Sequence, residues 1–183
     1  MEKISERLPS RQEATPVLSE IVFIVFSWTL YRMFWYVPSW LEYLSAWNVV
    51  LTAAYVLSFA LFESVIVFGL ICVLSFVLPQ KIFRQQFIAQ AGSIAAAISV
   101  GAFLLQRKMK VIYRLTHPEL LIYPVFILIA ILTLILLLSY VFRRFESLTR
   151  FIRIIAERMT VFLYVYVPLG ILGLLIVVFR NIR

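Results

Sequence analysis

The sequence predicts an all-α fold, a polytopic membrane helix bundle of about five transmembrane helices with interfacial amphipathic helices. Three observations carry this expectation. Of the 183 residues, 63% are hydrophobic and 14% charged, with a mean hydropathy of +1.00. Soluble domains hold about half apolar and about a quarter charged residues, and a chain this short has too much surface to hide the excess from water. Apolar runs near the roughly 20 residues that cross a ~30 Å hydrocarbon core recur along the chain. Finally, 17 Lys and Arg stand against 9 acidic residues, all Glu, for a net charge of +8. These cations sit at the ends of the apolar runs, which points to anionic lipid headgroups and topology rather than nucleic acid.

Residues 1–15 form a polar N-terminal tail before a single transmembrane unit over 16–183. Their mixed charges (Glu2, Lys3, Glu6, Arg7, Arg11, Glu13) show no cleavable signal peptide. Thr15-Pro16 opens the first helix, with Thr15 as N-cap and Pro16 at the first helical position, where a missing N–H costs nothing. The first span, about 17–37, ends in Tyr31, Phe34, Trp35 and Tyr36, the aromatic belt of a membrane–water boundary. After Pro38, Ser39-Trp40-Leu41-Glu42 has the pattern of a capping box. It starts a surface helix at about 39–47, with Trp40, Leu41, Leu44 and Trp47 on one face. The second span takes about 49–79, tilt absorbing its excess length.

The third span, about 87–105, is the least hydrophobic and the richest in small residues. Ala89, Ser93, Ala97 and Gly101 recur every four residues, with Ala91, Gly92, Ala95, Ala96 and Ser99 between them. Small residues at that spacing let helix backbones approach closely in lipid, so this helix is expected at the centre of the bundle. The alternative is a non-spanning amphipathic segment. Gln106–Lys110 and Arg114 read as a basic loop, and Thr116-His117-Pro118-Glu119 as a second capping box. A fourth span over about 120–142 is almost pure Leu, Ile and Val. In 143–158, Phe145, Leu148, Phe151, Ile152 and Ile155 fall on one helical face opposite Arg143, Arg144, Arg150, Arg153 and Arg158. That is the pattern of a basic helix lying on a membrane surface. The fifth span, about 160–179, contains Pro168, Gly170 and Gly173, which predicts a kink. There is no 20–50-residue repeat.

An odd number of spans puts the termini on opposite sides. With the N-terminus inside, Lys3, Arg7, Arg11, Lys81, Arg84, Arg143, Arg144, Arg150, Arg153 and Arg158 are cytoplasmic, against Arg32, Arg107, Lys108, Lys110, Arg114, Arg180 and Arg183 outside: 10 to 7. The positive-inside rule favours this orientation and a multi-pass protein of the plasma membrane. Whichever way it inserts, the clusters 107–114 and 143–158 flank one apolar span, so one of them breaks the rule.

Ionisable residues inside spans are the candidates for chemistry, because lipid makes them expensive. Arg32 lies near the outer end of the first span, where it can snorkel to headgroups. Glu63, within Ala60-Leu61-Phe62-Glu63-Ser64, lies deep in the second span and a carboxylate cannot snorkel far. It must be protonated, face a wet cavity or pair with a cation. The expected polar site joins Arg32, Glu63 and a basic residue from Arg107, Lys108, Lys110 and Arg114. His117 has a structural reading. With one His, one Cys (Cys72) and no Asp, no metal site, cofactor or Ser-His-Asp triad is expected.

The arrangement of five spans with Ala60–Ser64, Leu78-Pro79 and Arg84–Phe87 resembles the membrane domain of lipoteichoic-acid-synthase-like and phosphoethanolamine-transferase-like enzymes of the sulfatase superfamily. In those enzymes a large domain after the membrane part supplies the nucleophile and metal ligands. The resemblance therefore implies a non-catalytic accessory or scaffold subunit that acts with such a cell-envelope enzyme or its lipid-linked substrate. The competing expectation is a small oligomeric transporter or channel that uses Glu63 in a polar pathway. Expected partners are the bilayer, its anionic headgroups, and another membrane protein or a second copy, with no nucleic acid.

Overall fold

The computed structural model describes residues 9–77, 87–112 and 144–182, with 126, 129–130, 133–134, 136–138 and 140–142 between them; from 100 to 112 only the backbone is described. Among these residues the fold is all-α. Four helices have defined ends: α1 (Arg11–Tyr43), α2 (Ala46–Val77), α3 (Phe87–Ile112) and α4 (Glu146–Ile182), and the described residues 126–142 belong to a further helix. The helices α1, α2 and α4 are long and apolar enough to cross a membrane, and they mark a multi-pass membrane protein; α3 carries a shorter apolar stretch, Phe87–Ser99. Helices suit that solvent because each satisfies its own backbone N–H and C=O groups, for which lipid offers no partner.

Packing contacts fix the directions. Along α1 and α4, Val17 clusters with Ala156, Phe23 meets Phe162 and Phe26 stacks on Tyr166. Numbers rise together, so the two helices are parallel. Against α2 they run the other way: Gly173 lies beside Ala54, Gly170 beside Leu61, and Ala156 in a cluster with Ile71. Helix α3 is parallel to α1, with Gly92 on Glu20 and with Ala96 and Ser99 facing the region of Phe23–Arg32. The starts of α1, α3 and α4 and the end of α2 thus share one end of the bundle. Leu138 and the buried Phe142 reach the core there. The start of α1 and the end of α4 consequently lie at opposite ends.

Several expected boundaries are corrected. The first helix starts at Arg11, capped by Ser10 rather than Thr15: Glu13 Oε2 accepts from Ser10 N–H at 2.9 Å and from its Oγ–H at 2.7 Å. An acid in the first turn also offsets the helix dipole. Thr15 instead donates back to Arg11 O, and Pro16 falls inside the helix. No separate surface helix occupies 39–47, because α1 continues through Pro38 to Tyr43. Ending at Pro38 would orphan a full set of helix-end groups, whereas passing through it loses only one hydrogen bond. The break comes at Leu44 (φ −118°, ψ 148°), and Ser45 Oγ accepts from Asn48 N–H to start α2. The expected basic loop at 106–110 belongs to α3. The expected surface helix over 143–158 and the fifth span are one helix from Glu146, since neither Gly nor Pro interrupts the chain before Pro168. Lys81, Arg84, Arg114, His117 and its capping box, and Arg143 lie outside the described residues.

Close approach at small residues holds the helices together. The buried residues of α4 are Ala156, Gly170 and Gly173. A Cβ on Gly173 would sit 2.8 Å from the Ala54 carbonyl oxygen and 3.2 Å from Leu57 Cβ. Backbone cannot swing aside as a flexible side chain does, so the α2–α4 crossing requires glycine there. An aromatic cluster of Phe23, Phe26, Phe162 and Tyr166 fills the α1–α4 interface, with ring centroids 4.6–6.5 Å apart. The first turns of α3, Phe87–Gly92, are buried on every side, but the central place expected for this helix is taken by α1, on which α2, α3 and α4 all pack while α3 scarcely meets α2. Gly69 is the internal contrast, with nothing within 4 Å of its missing Cβ. Gly173→Ala should therefore destabilise the detergent-solubilised protein by about 1–3 kcal/mol through overpacking. Gly69→Ala should be neutral or stabilising by up to about 1 kcal/mol, the helix-propensity gain; thermal melting of both variants checks the contrast.

Candidate functional site

The groove follows from how the helices share α1. Both α2 and α3 pack on α1, but they scarcely touch each other, while α4 occupies the remaining side. The space left between α2 and α3 is a groove of about 1030 Å³ floored by α1. Its walls are mostly apolar, with Phe23, Ile24, Val25, Met33, Val56, Phe59 and Ala60 prominent. Trp28, Tyr31, Tyr36 and Trp40 line its length toward the α1–α2 corner. Phe59 and Tyr31 are largely uncovered by protein, so the groove opens sideways, toward lipid.

Polar groups enter at a few points. Arg32 lies half-buried in the groove, its Nη2 3.5 Å from Tyr36 Oη and its guanidinium carbon 5.7 Å from the Tyr36 ring centre. The ring face offers a cation favourable electrostatics on its way to the headgroup region. Glu63 lines the same groove from α2 and is exposed. At 1.5 Å per residue from the Leu44–Ser45 corner, Arg32 lies about 18 Å down α1 and Glu63 about 27 Å down α2. The two charges are thus staggered along one groove rather than placed at one level. Ser27 and Ser99 line it from α1 and α3, the Ser99 hydroxyl donating to Ala95 O at 2.9 Å within its own helix.

Of the sequence-predicted site, the structure brings Arg32 and Glu63 onto one groove. Arg107, Lys108 and Lys110 belong to the last turns of α3, at the end of the bundle nearer the α1–α2 corner, and Arg114 lies outside the described residues. Arg144, Arg150, Arg153 and Arg158 lie at the opposite end, exposed along the start of α4. There Arg153 Nε donates to Glu157 Oε1 at 2.9 Å in an exposed i,i+4 pair, of a kind that contributes little to stability.

The buried serines do not extend the polar lining. Ser58 donates to Ala54 O and Ser64 to Ala60 O, each at 2.7 Å, so both hydroxyls are spent within their own helix. Sequence reasoning missed Glu20, whose side chain is buried against Gly92. Glu20 falls near the start of its apolar run, where a carboxylate passes for an interfacial one. Nothing in the pattern of α1 shows that a glycine on another helix will cover it.

Among the described residues, no group of three or more His, Cys, Asp or Glu could hold a metal ion. What the groove can do chemically is hold an elongated amphiphile: apolar walls for chains, and Arg32 with aromatic hydroxyls for a phosphate or carboxylate. No protein-family model matches the chain, and neither a curated protein nor a solved structure matches it. If the groove lies open, a cysteine at position 63 in a Cys72→Ser background should react with methanethiosulfonate reagents many times faster than one at the fully buried position 64. Equal rates would show a groove closed in the membrane.

Proposed function

We propose that this protein is a non-catalytic plasma-membrane subunit that seats an anionic lipid-type amphiphile in the α1–α2–α3 groove, as an accessory to a cell-envelope enzyme that uses lipid-linked substrates. The observation that carries this reading is the joining of an apolar, laterally open groove to the cation of Arg32. Chains of the ligand occupy the walls formed by Phe23, Ile24, Val56 and Phe59, and its anionic headgroup meets Arg32. A guanidinium suits that task through paired N–H donors matched to phosphate or carboxylate oxygens. The resemblance to lipoteichoic-acid-synthase-like and phosphoethanolamine-transferase-like membrane domains supplies the envelope setting. The exposed apolar faces of α2 (Phe62, Ile66, Leu70) and α4 (Val161, Leu172, Phe179) are available to lipid, a partner or a second copy.

Native mass spectrometry of protein extracted in mild detergent tests the ligand. Wild type should retain an anionic phospholipid. Arg32→Gln removes a charge-assisted hydrogen bond worth about 1.5–3 kcal/mol, and should weaken retention roughly tenfold to a hundredfold. Equal retention by both proteins would sink the proposal.

The orientation in this reading is N-terminus cytoplasmic. Arg11, Arg144, Arg150, Arg153 and Arg158 lie toward the end of the bundle where α1 and α4 start, and Arg32, Arg107, Lys108, Lys110 and Arg180 toward the other, so the orientation rests on the ten-to-seven tally of the whole sequence. In Cys72→Ser protein, a cysteine replacing Asn181 should react with impermeant maleimide on intact cells, and one replacing Ser10 only after lysis. The reverse pattern would overturn the orientation.

A small oligomeric transporter or channel is the second reading, favoured by Glu63 lying in the groove at mid-span. Flux of protons or small ions through proteoliposomes, lost in Glu63→Gln, would support it over the accessory role.

A further inference from the structure

The groove has a continuation. On α1, Glu20 precedes the groove-lining Ile24, Ser27 and Tyr31 at helical intervals of four, seven and eleven residues, so all four share one face. On α3, Gly92 stands in the same relation to the groove-lining Ala96 and Ser99. The Glu20–Gly92 contact is therefore the next layer of the α1–α3 seam along one side of the groove. Glu20 is 9% exposed, and its Oε2 has no hydrogen-bond partner among the described residues. A Cβ on Gly92 would fall on that carboxyl group, at 2.8 Å from Cδ. The glycine leaves the room that the acid fills.

We propose that Glu20 is a proton-binding site in the α1–α3 contact, one helical turn beyond the groove-lining residues. A buried carboxylate without a partner is costly, and it must be neutralised by a proton, a metal ion or a basic side chain. A metal ion needs several oxygens, and the group apposed to Glu20 here is a glycine. A proton needs one oxygen. Among the described residues, the helices packed on this stretch of α1 bring Gly92 against Glu20 itself and, in a cluster with Val17 and Ile21, Phe87, Ile88 and Ala91 from α3, Ile71 from α2 and Ala156 from α4. None of these is a Lys, Arg or His. Arg153 and Glu157, flanking Ala156 on α4, are exposed and paired with each other; Lys81 and Arg84 lie outside the described residues. Binding and release of this proton change the charge at an α1–α3 contact, and so bear on the helix pair that forms the floor and one side of the groove. Only that last link rests on the amphiphile reading above.

Dicyclohexylcarbodiimide, an apolar reagent, tests the site in the intact protein reconstituted into liposomes. The O–H of a protonated carboxylic acid adds across one C=N bond, its proton passing to nitrogen and its oxygen bonding the central carbon. The O-acylisourea then rearranges to a stable N-acylurea, with no leaving group. Peptide mapping should find the adduct on Glu20, with labelling falling several-fold from mildly acidic to alkaline buffer. Glu20→Gln, in which an amide of the same shape still fits against Gly92, should keep the fold and lose the adduct. It should also lose a protonated-carboxyl carbonyl band in the infrared difference spectrum. Labelling of Glu20 should persist when Lys81 and Arg84 are both changed to Gln. An unlabelled Glu20, labelling indifferent to pH, or an infrared spectrum unchanged in Glu20→Gln would overturn the proposal. Adducts that rise several-fold in the Lys81→Gln, Arg84→Gln protein would overturn it too, by showing an ion pair in place of a proton. Arg32→Gln separates the two readings, since it can abolish or spare lipid retention without removing the adduct at Glu20.

Discussion

Lipid removes the hydrophobic drive that assembles soluble cores, because acyl chains are as apolar as leucine. Helices in this solvent must be held by close backbone approach and by the shape of what lies between them. Every specific feature of this bundle follows from that constraint. Gly170 and Gly173 bring α4 against Leu61, Ala54 and Leu57 of α2. Phe26 and Tyr166 stack at 5.3 Å and fill the α1–α4 interface with aromatic bulk. Gly92 gives α3 its approach to α1, with the Glu20 carboxyl group as the filling.

The same packing explains why there is a groove and where it lies. With α1 at the centre and α4 tight against both α1 and α2, helix α3 has only α1 as an extensive neighbour among the described helices. The α2–α3 side stays open over the height of Phe23 to Trp40. Two charges, Arg32 and Glu63, face that opening, and a second carboxyl group, that of Glu20, lies beyond it. Such groups are retained in lipid only where something compensates their cost. Arg32 has an aromatic neighbour and the headgroup region within reach, whereas Glu63 and Glu20 look to a ligand, water or a proton.

Much of this was legible in the sequence, and the misses share one cause. Apolar run length and the placement of cations along the chain identified a membrane protein and three of its long helices. The small-residue repeat of 89–101 foretold close packing, seen in the buried first turns of α3, but the central place it was expected to mark belongs to α1. Boundaries were misread wherever a local signal lost to continuity: the capping box at Ser39–Glu42 and the basic face of 146–158 both lie within longer helices. A cap forms only where the helix has another reason to stop, and in this solvent an unbroken helix leaves fewer groups unsatisfied. Arg32 and Glu63 stood out because each interrupts an apolar run. Their sharing of one groove depends on α2 and α3 diverging, which no periodicity within a single helix encodes, and Glu20 stayed hidden for the same reason.

An electron cryo-microscopy map of the protein in nanodiscs of native lipid tests the groove most directly. If the space between α2 and α3 holds an anionic amphiphile, the map will show elongated density along Phe23, Val56 and Phe59, ending at Arg32. A groove filled instead by a helix of a partner or second copy, or closed by direct α2–α3 contact, would contradict it.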